Sequence, residues 1–128
     1  MANITIASLL DRKEDIKKKV NSTKKLYIES LGGEITIKEP SRELCAESLE
    51  MLHLGDASRA DAHMTYNCVV EPNLKDTQLQ KEFGCVEPTE IVDLLFKAGE
   101  VAAISGQCLS MAGFGTGVKQ LDKEIKKP

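Results

Sequence analysis

The chain has 128 residues and a mass of 14.0 kDa, which fits one domain and lets folding bury roughly two thirds of the surface that the unfolded chain exposes. Hydrophobic residues make up 41% and charged residues 29%, with aromatics at only 4% and no Trp, so the core must be mostly aliphatic and ordinary for a globular protein. No run approaches the ~18 uninterrupted apolar residues that span a bilayer, and the net charge of -3 argues against the basic folded face of a nucleic-acid binder.

Charge is unevenly placed. Residues 1–25 hold seven Lys or Arg against three Asp or Glu, a balance of +4, and residues 119–128 hold four against two, leaving -9 on residues 26–118. The expected organisation is a basic, flexible arm over 1–24, one globular domain over 25–114 and a polar tail over 115–128. The arm opens "MANITIASLLDRKED", without a basic segment ahead of its apolar stretch, so a cytoplasmic protein with no signal peptide is expected. Its thin stripe of Leu9, Leu10, Ile16 and Val20 suggests a frayed helix, poorly ordered or docked late on a partner.

"KKLYIESLGGEITIKEP" predicts a β-hairpin: Leu26, Ile28 and Leu31 precede a Gly32-Gly33 turn, and Ile35 and Ile37 alternate with polar residues on the return. Ser41 is the expected cap of a helix whose apolar positions are Leu44, Cys45, Leu49 and Leu52. After Gly55 a second helix, capped by Asp56 or Ser58, places Ala60, Met64 and Cys68 four apart, and Pro72 should stop it shortly after Val70. A short helix capped by Asp76, with Leu79 and Phe83 on one face, ends at Gly84.

From Ile91 to Ala112 a single apolar stripe of nearly three heptads predicts a helix or helix pair at the buried centre, with a kink or break at Gly99. Phe96 lies off that stripe and should pack under the hairpin or else contribute to a partner groove. "AGFGTG" ends the helical region, and Val118, Leu121 and Ile125 give the tail a weak helical pattern. The fold class is therefore α+β, mostly α, with an N-terminal β-hairpin packed on a bundle of about four to five helices.

No catalytic, cofactor or metal constellation emerges. Cys45, His53, His63 and Cys68 are separated by 8, 10 and 5 residues, unlike the compact pairs of structural zinc sites. The four cysteines, spaced by 23, 17 and 23 residues, fall near apolar stripes and read as buried free thiols. "GFGTG" lacks the preceding strand and following helix of a phosphate loop. "CVVEP" at Cys68 and "CVEP" at Cys85 look like a repeat, yet Pro72 closes one helix while Pro88, with Glu87, Thr89 and Glu90, opens another.

The stretch from Tyr66 to Phe114, with "VVEPNLKD", "FGCVEPTEIV" and "LFKAGEV", resembles the XkdN-like tail assembly chaperones of contractile-tailed phages and related defective prophages. A weaker likeness runs from Lys25 to Leu54. The resemblance implies a non-enzymatic, mostly helical protein that binds the tape measure protein, keeps it soluble during tail tube assembly and is absent from the finished virion. It also implies a possible frameshifted longer form as a partner; homo-oligomer formation stays open, and neither nucleic acid, membrane nor cofactor is expected. A client groove is expected near Leu79, Phe83, Leu95 and Phe96. Two other readings stand beside it: a structural tail component retained in the particle, and a small helical DNA-binding regulator, against which the acidic "RELCAESLEML" and "TEIVDLLF" speak.

Overall fold

A computed structural model describes residues 3–18, 22–115 and 117–120. Val20, Leu121 and Ile125, counted above in the terminal patterns, lie outside them. The first elements are two short helices, α1 (Ile6–Asp11) and α2 (Lys13–Lys18). Thr5 starts α1 by accepting the Ser8 N–H at 3.2 Å, an N-cap that satisfies one of the orphan donors of the first turn. Neither helix has a buried residue, so local capping rather than core packing defines them.

The hairpin forms, but its turn spans residues 29–32, with Gly33 already on the return strand opposite Ile28 instead of in a Gly32-Gly33 turn. β1 (Thr23–Ile28) and β2 (Gly33–Lys38) pair antiparallel with Leu26 opposite Ile35. Gly32, at φ 65, makes the turn, its N–H reaching the Ile28 carbonyl at 2.9 Å; a side chain there would be strained. Ile28, Ile35 and Ile37 are buried, whereas Leu31 sits exposed in the turn rather than on the strand. A third strand, β3 (Val69–Glu71), pairs antiparallel with β2, giving the order β1-β2-β3. The sequence reading placed Val69 and Val70 in a helix exit; two β-branched residues after the last helical turn instead find a partner in β2.

α3 (Arg42–His53) and α4 (Ala57–Cys68) are capped by Ser41 and Asp56, which accept the Leu44 and Arg59 N–H groups, each at 3.1 Å. α4 packs between α3 and α7 (Ala98–Met111), and α6 (Glu90–Leu95) also leans on it. Between β3 and α6 runs α5 (Thr77–Glu82), capped by Asp76 and ended by Gly84 at φ 70. The seven helices hold 54% of the described residues, so the fold is mostly helical α+β.

The core gathers Ile37 from the sheet, Met64 and Cys68 from α4, Leu74 from the loop, Ile91 and Val92 from α6, and Ile104 and Cys108 from α7. On α3 the buried face is Leu44, Cys45 and Ser48, while Leu49 and Leu52 are exposed. Ser48 explains this rotation: its small side chain allows close approach to α4 and donates to the Ala60 carbonyl at 3.2 Å. The long apolar stripe is broken at Phe96–Lys97, where the backbone turns extended, rather than at Gly99 inside α7. The break shifts the helical phase, which buries Val92, Phe96 and Ile104 and exposes Leu94, Ala98 and Ala102.

Candidate functional site

Three groups of side chains are chemically notable. The first is a cluster of buried sulfur atoms. Cys68 Sγ faces Met64 Sδ at 3.6 Å, and its hydrogen bond with Cys108, together with burial, pushes the Cys108 thiol far above its ordinary range. Burial likewise raises Cys45, with the neighbouring Cys68 adding to the effect. Thiols raised in this way stay neutral and packed, whereas the bond with Cys108 lowers Cys68 against the effect of its burial; the thiolate is the form that attacks or ligates. His63 lies apart from them, paired with Glu47 at 2.9 Å, and His53 is exposed. Among the described residues no three His, Cys, Asp or Glu side chains converge as metal ligands.

The second group joins the β1–β2 hairpin to α7. Glu100 accepts the Lys97 N–H at 2.8 Å, the Ser30 hydroxyl at 2.8 Å and the Ser30 N–H at 3.4 Å. The Lys97 and Ser30 bonds hold its carboxyl below the ordinary carboxylate value, because each favours the charged form. Seven residues along α7, Gln107 accepts from Lys24 Nζ at 2.8 Å. Between these two ties opens a groove of about 280 Å³, lined by Leu26, Ile28, Ala103 and Ile104, with Tyr27 and Glu29 at its lip. Sequence separations of 83 and 70 residues put both ties beyond any local signal.

The third group is apolar surface around α5 and α6. Of the four residues expected at a client groove, Phe83 is 46% exposed, Leu79 and Leu95 are half-buried against the core, and Phe96 is buried at 4%. Two further residues in this interval project into solvent: Val86 at 86% and Leu94 at 52% exposure. Sequence reasoning read Val86 only as part of a helix entrance and assigned Leu94 to the core stripe. The extended Phe96–Lys97 backbone was the missing signal. Leu49, Leu52 and Leu54 form another exposed set at the end of α3. No helix among the described residues is long and apolar enough to cross a membrane.

A family model described as "Phage XkdN-like tail assembly chaperone protein, TAC" matches residues 6–126. Comparison with curated proteins returns no match. Among solved structures, the crystal structure of the protein YqbN superposes with a TM-score of 0.57 at 18% identity, covering 73% of this chain and 87% of that one. That likeness bears on the fold.

Proposed function

The chain belongs to the XkdN-like family of phage tail assembly chaperones, and from that membership we propose that its client is the tape measure protein, which it keeps soluble while the tail tube is assembled. The reading is supported by the surface between α5 and α6. Phe83, Val86 and Leu94 all present apolar side chains to solvent within residues 83–94, and exposed apolar side chains concentrated in one segment mark interaction surfaces. Leu79 and Leu95 flank this surface in our assignment, and Phe96 supports it from within the core.

Holding a long client soluble calls for many weak contacts rather than one tight pocket. Several small copies, each contributing a few apolar side chains, gain avidity along the client without any single strong site. The acidic body keeps the resulting complex apart from its neighbours by charge repulsion. No covalent step is involved, and no residue is assigned a catalytic role. The protein acts before the particle is complete, in the host cytoplasm, and leaves it.

Co-expression with the tape measure gene tests this. The wild-type chain should bring the client into the soluble fraction, and Phe83→Asp should reduce that yield several-fold while leaving the melting temperature of the chaperone nearly unchanged. A client that is equally insoluble with and without the protein defeats the proposal. Mass spectrometry of purified particles separates it from a retained tail component, because the chaperone should be missing.

A further inference from the structure

β1 is an edge strand, and its outer side is open. The Glu39 N–H donates to the Ser22 carbonyl at 3.0 Å, and the antiparallel alternation carries this inward-facing pattern on through Lys24, Leu26 and Ile28. Thr23, Lys25 and Tyr27 therefore turn their backbone N–H and carbonyl groups away from β2. Their side chains are exposed, and among the described residues no backbone or side-chain group bonds those outward groups. Such an edge templates another strand unless charge or shape forbids it. The opposite edge is less suited: β3 has three residues and runs directly into Pro72.

We propose that β1 pairs antiparallel with β1 of a second copy, about a twofold axis at Leu26. Pairing through the outward groups allows two registers that align five residues of the strand Thr23–Ile28. One sets Lys25 against Lys25, placing like charges directly opposite, which destabilises a ladder. The other sets Lys25 against Tyr27 of the second copy, Leu26 against Leu26, and Lys24 against Ile28. In that register Lys25 meets an aromatic ring and Lys24, across from Ile28, keeps its bond to Gln107, so the lysines select the alignment instead of blocking it. Leu26 and Ile28 of the added strand also face the same side as the groove under β1, whose lining is Leu26, Ile28, Ala103 and Ile104. The contact is isologous, as a twofold dimer requires, and joins two three-stranded sheets into one. It does not depend on the identity of the client.

Sedimentation of the full chain over a concentration series tests the pairing. The wild-type protein should pass from monomer to dimer, and the amides of Lys25 and Tyr27, but not that of Thr23, should exchange more slowly in the dimer. Tyr27→Lys opposes two lysines in each symmetric pair and should weaken association roughly tenfold. Lys25→Glu combined with Tyr27→Lys restores opposite charges across the axis and should recover the dimer. Circular dichroism confirms that both variants fold; if Tyr27→Lys does not, amide exchange in the wild-type chain decides. A chain that stays monomeric, a dimer that Tyr27→Lys leaves intact, or a double variant that stays apart would each overturn the proposal.

Discussion

Glu100 illustrates how much one half-buried carboxylate can organise. It closes the first turn of α7 through Lys97 N and ties the hairpin turn to that helix through Ser30. Its carboxyl titrates below the ordinary value of 4.5, so the folded state binds this proton less readily than the unfolded chain. The stability it contributes is therefore complete above the unfolded value and is lost as pH falls through the folded one. Glu100→Gln should melt below the wild-type protein at neutral pH, and the gap should close under acid conditions. A gap that persists unchanged at low pH would show that ionisation is irrelevant. Cys45 and Cys108 follow the opposite logic, since burial helps to raise both thiols, and their positions on helical stripes were enough to read them as packing residues; Cys85, in the loop before α6, is only half-buried. Ser105 was less legible: its hydroxyl is buried without a protein partner among the described residues, and no spacing rule announces that.

At the scale of elements, the local signals were the most readable. Ser41, Asp56 and Asp76 cap their helices as their residue types and positions suggested, because an N-cap is decided by groups three residues apart. Ser41→Ala should cost about 1 kcal/mol of unfolding free energy, measurable by urea titration. An unchanged midpoint would mean that the bond to Leu44 N contributes nothing. The inward face of β2 was readable for a similar reason, since Ile35 and Ile37 alternate with polar residues, whereas the turn was not, because the chain closes over residues 29–32 and not at Gly32-Gly33. β3 was not readable, because three residues after a helix acquire strand character only when β2 lies alongside. The single-stripe reading of residues 91–112 failed in phase, though not in kind: two helices separated at Phe96–Lys97 carry two independent faces.

For the whole molecule, the division into an arm, a domain and a tail was an expectation from charge and composition. The described part of the arm contributes no buried residue, and Ile4, Ile6 and Leu10 are each more than 60% exposed. Removing residues 1–18 should therefore leave the melting temperature almost unchanged, since surface segments away from packed features alter stability by no more than about 0.5 kcal/mol. A clear drop would place the arm against the body. What the sequence by itself determined was fold class, family, helix caps and the existence of the hairpin, signals carried by residue types and local spacing. The tertiary structure alone decided which stripe faces inward, the addition of β3 and the ties from the hairpin to α7. Those outcomes depend on contacts between residues tens of positions apart, where periodicity is shared by several faces and only packing chooses among them.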